Sequence, residues 1–486
     1  MQHDGKRIRA GAVCEVRLGE GVLLGRLEDG IRVFKGIPYA RAPIGPLRFL
    51  PPQPAQQWFG TLEASSFAPA APQPRDLGRY AGDPDAMPAV STSEDCLYLN
   101  VWAPTNEGLH PVLVWFHGGS QILGGTARPV YNGAVFARAG IVSVTVGFRL
   151  GALGYLELGE LLGPRYRESG NNGLADQLAA LRWVKKNIAA FGGDDQRITL
   201  AGESAGAKNI AALLASPQAA TLFQAAFLQS GGGETVHDLN AAREIALRFL
   251  TLAGGEAPDL LTLPVERLLS AQEQLLLVER RFPFRPMFGT AMLPEPPLSR
   301  IGKAKCTRRP LIVGTTRDEI GPMLADSALE GGWRVQLLAH RSPAEMAEIE
   351  TRFATAFPSL ASSERRRQLT NAEEYWIPAI KLADANDSAG APTWAYRFDL
   401  PLAGGPLAGA VPHTLDLGPA WEPSTKLHEI LAKFVRTHRA DWPRYDALRR
   451  STALIRDTFD VIENPARVLI ELFERERPAI VPRGVV

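Results

Sequence analysis

Cysteine is scarce in this chain: Cys14, Cys96 and Cys306 are the only three in 486 residues. They lie far apart and lack metal-ligand spacing, so neither a disulfide framework nor a zinc site is expected, and each reads as a small buried hydrophobe. A single Cys14–Cys96 bridge stays open, provided the compartment is oxidising. An excess of one charge is missing too. Lysine and arginine number 53 against 52 acids, a net charge of +1, so nothing argues for nucleic acid, an anionic membrane or steering of charged substrates. No run approaches the roughly 18 apolar residues of a membrane span. The opening MQHDGKRIRAG has charge but no apolar stretch behind it, so no secretory signal is read. Internal repeats and low-complexity tracts are absent. The expectation is a cytoplasmic protein, monomeric or a small homo-oligomer, whose partner is a small molecule.

What is present is apolar residue, 45% of the chain, enough for a large core. The length suits up to about three domains or one large α/β domain with insertions. The most informative stretch is Phe191 to Gly206, FGGDDQRITLAGESAG. Ile198 to Ala201 reads as a short strand and Ala205 onward as a helix, with Ser204 in the turn between them. A serine in a strained strand-to-helix turn is exposed for attack, and Gly202 and Gly206 must lack side chains where strand and helix pass closest. The competing reading, a serine in an ordinary helix N-terminal turn, does not account for the strand before it.

In chain order, Val13 to Phe34 alternates like an antiparallel hairpin about Glu28-Asp29-Gly30. Residues 34–49, FKGIPYARAPIGPLRF, carry prolines and glycines that predict an ordered but irregular connection. The alanine- and proline-rich stretch 65–93 predicts a lid loop. Residues 93–104 and 111–120 each contain a strand; the second, PVLVWFHGGS, is apolar without alternation, as in a strand covered on both faces. Its terminal glycines suit an oxyanion hole, although a plain strand-ending turn is the simpler alternative. Ile141 to Phe148 predicts another buried strand. The 3.6-residue period from Leu174 to Ile188 predicts a helix ending at Gly192-Gly193. Strands then alternate with helices around a parallel sheet.

These motifs resemble the type-B carboxylesterase family of α/β-hydrolases. FGGDDQRITLAGESAG and EDCLYLNVWAP (94–104) carry the resemblance, supported by FKGIPYARAPIGPLRF, the HGGS segment and LFQAAFLQSGG (222–232). It implies one α/β-hydrolase domain over 1–486, a mostly parallel twisted sheet flanked by helices. Helical insertions at 233–310 and 321–390 would shape a pocket at the sheet's carboxyl edge. Leu239 to Leu252 and Val265 to Val278 have helical periodicity, and so does most of 342–388. Pro310 to Gly314 and TWAYRFDL predict strands, and the chain from Lys426 on reads as helical.

In such hydrolases the order is serine, acid, histidine. The family's G-x-x-x-D-E segment matches Gly314 to Glu319, which makes Glu319 the acid, with Asp318 as the adjacent rival and otherwise a solvated acid or helix cap. Chain order leaves His340, His413, His428 and His438 of the eight histidines. His413, in GAVPHTLDL with Asp416 three residues on, matches the family's base. His428 and His438 sit among lysines and arginines and read as solvated. Pro412 and Gly418-Pro419-Ala420 depart from the family and concern pocket shape. The family pattern maps the oxyanion donors onto the backbone of Gly119, Ser120 and Ala205. Ser120 and Gln121 stand where relatives carry Gly or Ala and then an aromatic; Lys208 and Asn209 are also atypical. Ion pairs Arg48–Glu94 and Arg149–Asp176 are implied as structural. The expected chemistry is hydrolysis of neutral carboxylic esters through an acyl-enzyme, without metal or cofactor. Acyl transfer or amide cleavage on the same triad, and a catalytically silent adhesion-type homologue, are the alternatives.

Overall fold

The structure, a computed structural model, describes residues 12–74, 91–279, 282–320, 322, 343–456 and 458–474. Three strands, β1 (Val13–Leu18), β2 (Gly21–Glu28) and β3 (Ile31–Pro38), form an antiparallel meander. The expected turn at Asp29-Gly30 is present, with φ of 47° and 77°. A second turn at Gly19-Glu20 makes two hairpins of the single one expected. β3 also runs on into the segment expected to be irregular. A bulge between Phe34 and Ile37 absorbs Gly36, whose φ is 71° and whose N–H is taken up by Asn100 Oδ1 at 2.9 Å.

The remaining strands are β4 (Thr61–Glu63), β5 (Tyr98–Ala103), β6 (His110–Phe116), β7 (Val142–Val146), β8 (Gly193–Glu203), β9 (Ala225–Gln229), β10 (Leu311–Thr316), β11 (Thr393–Phe398), β12 (Thr452–Ile455) and β13 (Phe459–Ile462). They build one sheet in the order β1-β2-β3-β5-β7-β6-β8-β9-β10-β11-β12-β13, with β4 beside β2. From β7 through β12 neighbouring strands are parallel, and the two ends are antiparallel. This is the mostly parallel α/β sheet expected. β12 and β13 correct the helical reading of the C-terminal part. At four residues each they are too short for a period to show, and β12 is buried throughout.

The absence of alternation in β6 has a simple cause. Val112, Val114 and Phe116 enter one core with Leu178 and Leu181 of helix α1 (Asn172–Asn187). Ile210 and Leu213 of α2 (Ala205–Ala215) join that core. Leu113 and Trp115 enter a second core on the opposite face. Helices α3 (Leu239–Ala253) and α4 (Val265–Glu279) pack on each other around a separate cluster with Tyr155 and Phe284. Helices at Pro343–Ala356 and Ser362–Asn371 lead through a π-helical turn, Ala372–Trp376, into α5 (Ile377–Ser388). The helix α6 (Lys426–Thr437) sends Leu427, Leu431 and Phe434 into the core that holds Leu113 and Trp115.

Of the expected lid, residues 75–90 lie outside the described residues, and His340 and most of 321–342 lie outside them too. The base of that loop is pinned: Ala70 bridges Thr92, and Gln73 bonds both the N–H and the carbonyl of Gly124. All three cysteines are free, which closes the question of a Cys14–Cys96 bridge.

Candidate active site

β8 enters the sheet's middle and delivers the chain to Ser204, which has φ 51° and ψ −119° and precedes α2. A side chain at the αL-like φ is costly, and here the sheet enforces it, because the Ser204 N–H donates to the Gln229 carbonyl of β9 over 2.8 Å. The turn needs its glycines: a Cβ at Gly206 would lie 2.0 Å from the Phe116 carbonyl oxygen, and one at Gly202 2.8 Å from the same atom.

The acid and base arrive after β10 and β11, the second and third parallel strands beyond β8. Glu319 follows β10 at φ 41° and is fully buried. Its Oε1 accepts from the Ser230 hydroxyl and the Thr316 N–H, both at 2.9 Å, while its Oε2 lies 2.6 Å from His413 Nδ1. The loop after β11 is tied to the same place, since the His413 N–H donates to the Glu319 carbonyl over 2.8 Å. His413 Nε2 then lies 2.9 Å from Ser204 Oγ. Three side chains remote in sequence thus form one chain of contacts, carboxylate to imidazole to hydroxyl.

The rivals are elsewhere. Asp318 pairs with Arg317 and accepts from the Val411 N–H at 2.7 Å, which holds the histidine loop. His428 is buried against Phe136 with Nδ1 3.0 Å from the Ala420 carbonyl, and His438 lies 3.2 Å from Thr199 Oγ1. Both correct the reading as solvated: basic neighbours face water while these two rings turn inward, and burial pushes both pKa values down.

Opposite the hydroxyl, Gly119, Ser120 and Gln121 all have positive φ, at 116°, 54° and 58°. A Cβ at Gly119 would lie 2.1 Å from the Leu123 carbonyl oxygen, so only glycine fits. Among the described residues the N–H groups of Gly119, Ser120 and Ala205 donate to no protein acceptor. The atypical Gln121 is buried, with Nε2 at 3.4 Å from Asn209 Oδ1 and 3.5 Å from the Ala205 carbonyl. Asn209 in turn bonds the Tyr155 hydroxyl at 2.9 Å. These departures from the family pattern are therefore coupled to one another. His117, stacked on Phe148 at 4.5 Å, has its pKa pushed down to about 4 by burial.

Glu203, Glu374 and Arg285 were not singled out by sequence reasoning, and Lys208 was noted only as atypical. Glu203 Oε1 lies 3.3 Å from His413 Nε2, and burial raises its pKa to about 7. Burial alone would lower the His413 pKa, but the Glu203 charge and the Glu319 contact outweigh it and leave it raised. Lys208 is buried with Glu374, which also pairs with Arg285. The signal for this cluster was available: α2 is Ala, Gly, Ile and Leu apart from Lys208 and Asn209, and a lysine in such a helix demands a buried acid. The partners, 77 and 166 residues downstream, carry no motif. Ser204, Ala205, Ser120, Gln121, Lys208, Thr235, Phe282 and Arg285 line one pocket. A larger cavity of about 90 Å³, lined by Val313, Trp376, Ile380, Tyr396 and Leu469, contains none of the three contacting side chains.

Both implied ion pairs are present. Arg149 grips Asp176 with Nε and Nη2 at 2.8 and 2.7 Å, and Arg48 Nε meets Glu94 at 2.8 Å while its Nη1 bonds the Leu263 carbonyl at 2.7 Å.

The sequence pattern of the carboxylesterase family matches residues 12–430. The chain belongs to the carboxylesterase family. A para-nitrobenzyl esterase of Bacillus subtilis is 37% identical over 398 residues, 78% of this chain and 77% of that one. A liver carboxylesterase of Sus scrofa is 31% identical, covering 78% and 73%. The crystal structure of a Geobacillus stearothermophilus carboxylesterase superposes with a TM-score of 0.81 at 32% identity, over 94% of this chain and 99% of that one. This carboxylesterase is a serine hydrolase of carboxylic esters with the α/β-hydrolase fold. The para-nitrobenzyl esterase and carboxylesterases among its relatives support ester hydrolysis, and the transferase, amidase and silent readings find no support.

Proposed function

We propose that Ser204 is the nucleophile of this esterase, His413 its general base and Glu319 the acid that orients and stabilises the imidazolium. A serine hydroxyl is a weak nucleophile until a base removes its proton as the bond to carbon forms. With Nδ1–H donated to Glu319, His413 Nε2 is the free acceptor, 2.9 Å from Ser204 Oγ, and that contact carries the reading. Ser204 Oγ attacks the ester carbonyl carbon, and its proton passes to Nε2. The developing oxyanion is held by the N–H groups of Gly119, Ser120 and Ala205, whose value is that they are unengaged and fixed beforehand. The imidazolium gives its proton to the departing alcohol. Water then enters, loses a proton to the same nitrogen and cleaves the acyl-enzyme. The substrate is a small ester, and the para-nitrobenzyl esterase among the relatives makes nitrophenyl or nitrobenzyl esters suitable reporters.

Ser204→Ala, assayed with a nitrophenyl acyl ester and with a fluorophosphonate probe, tests the assignment. The expected result is loss of labelling and of kcat by several orders of magnitude, on the order of 10⁶-fold for a serine of this type. Full activity in that variant would refute it.

A further inference from the structure

The pocket at Ser204 has a charged wall that the hydrolysis just described does not use. Lys208 lies one helical turn past the serine, its N–H donating to the Ser204 carbonyl over 2.9 Å. Its ammonium bonds Glu374, and Arg285 Nη2 reaches both oxygens of the same carboxylate at 3.2 Å. Side-chain exposures are 8% for Lys208, 9% for Arg285 and 3% for Glu374. Among the described residues, two cations therefore share the one carboxylate that either of them contacts, out of bulk water.

Aromatic faces supply the rest of this wall. Lys208 Nζ lies 4.6 Å from the Tyr375 ring centroid, and Arg285 Cζ lies 5.4 Å from that of Phe282. Tyr375 also packs on the His413 ring at 4.5 Å, so the wall adjoins the imidazole. Ring quadrupoles offset only part of the cost of a buried excess charge; an anion completes the compensation. Among the described residues, Nε and Nη1 of Arg285 donate to no protein acceptor. The remaining N–H groups of a guanidinium are donors suited to carboxylate oxygens.

We infer that this esterase takes esters bearing a second, ionised carboxylate, which Arg285 and Lys208 hold beside Ser204, and prefers them to uncharged esters of the same shape. The inference rests on Ser204 being the nucleophile. The carboxylate is recognised and not altered: the ester C–O bond breaks, water supplies OH to the acyl carbon and H to the alcohol, and the second carboxylate leaves unchanged. The chain's near-neutral net charge governs long-range steering and is silent about one wall of a pocket.

Two substrate pairs distinguish a carboxylate on the acyl side from one on the alcohol side. Monomethyl succinate is compared with methyl levulinate, and acetoxyacetate with acetoxyacetone, by kcat/KM in a pH-stat. In one pair the anionic ester is expected to be favoured about tenfold or more, as for a charged hydrogen bond. Arg285→Gln should erase that ratio, while Arg285→Lys should keep most of it, which a merely structural role for the cluster would not do. A wild-type enzyme that cleaves the uncharged member of both pairs as well or better, or a ratio unmoved in Arg285→Gln, overturns the inference while the labelled serine keeps the esterase reading. Failure of all four esters together with absence of labelling at Ser204 removes both.

Discussion

Glu203 Oε1 lies 3.3 Å from His413 Nε2, the same nitrogen that faces Ser204 Oγ. The residue before Ser204 thus puts a second buried carboxylate on the imidazole, across the ring from Glu319. That Oε1 accepts no hydrogen bond from any described residue, so its influence is a matter of charge.

A pH dependence follows from this contact. With His413 as the proposed base, the ring must be neutral to accept a proton, so activity is expected to fall as pH drops through the His413 pKa. That pKa is raised above 6.5, against burial, chiefly by the Glu203 charge and then by Glu319. The acid limb of kcat/KM should therefore lie above 6.5. Glu203→Gln removes the largest raising influence, so the limb should move toward acid, and the variant should keep a greater share of its maximal rate at pH 6. Burial pushes the Glu203 pKa up to about 7 and its charge acts directly on His413, so the wild-type limb belongs to the pair rather than to either residue. A pH profile that stays put, or moves toward alkali, would contradict the assignment.

How much of this was legible in the residues follows from where the information is local. Ser204 was readable because strand, turn and helix are consecutive, and the close approach to Phe116 leaves no choice but glycine at 206. Glu319 and His413 were readable through the family resemblance and chain order. The bond from the His413 N–H to the Glu319 carbonyl is why two loops 94 residues apart behave as one unit. Of the Lys208–Glu374–Arg285 cluster only the need of Lys208 for a buried acid was readable; its partners were not, since Glu374 is presented by a π-helical turn with no marker in composition. The strands β12 and β13 were missed for want of length, and the inward turn of His428 because its neighbours on α6 are basic while its own position faces Phe136.

The ion pair Arg149–Asp176 anchors the start of α1 to the strand-end loop after β7, with exposures of 2% and 0%. Arg149 also donates to the Leu50 carbonyl at 2.7 Å, and its own N–H meets Asp176 Oδ2 at 3.0 Å. Asp176→Ala leaves a guanidinium in the core without its counter-charge, at a cost of about 3–5 kcal/mol. Glu429→Ala, which removes the exposed Lys426–Glu429 pair, should cost under about 1 kcal/mol. Urea denaturation of the two variants side by side separates them, and similar midpoints would show that burial of the first pair does not matter.

The proposed oxyanion donors give the sharpest separation between backbone and side chain. At Gly119 a methyl group would strike the Leu123 carbonyl oxygen at 2.1 Å, and φ 116° is closed to other residues, so Gly119→Ala must move the turn that carries two of the three N–H groups. Loss of one aligned donor typically lowers kcat by about 10²–10³-fold. KM should change far less, because the ground-state carbonyl makes weaker use of the hole than the tetrahedral intermediate does. Ser120→Ala keeps the main-chain N–H and the backbone conformation already tolerated by serine at φ 54°, and should retain kcat within a few-fold. Thermal melts of both variants guard against simple unfolding. A large kcat loss in Ser120→Ala with a normal melt would move the third donor from the Ser120 backbone to its hydroxyl, and an undiminished kcat in Gly119→Ala would remove this turn from the oxyanion hole.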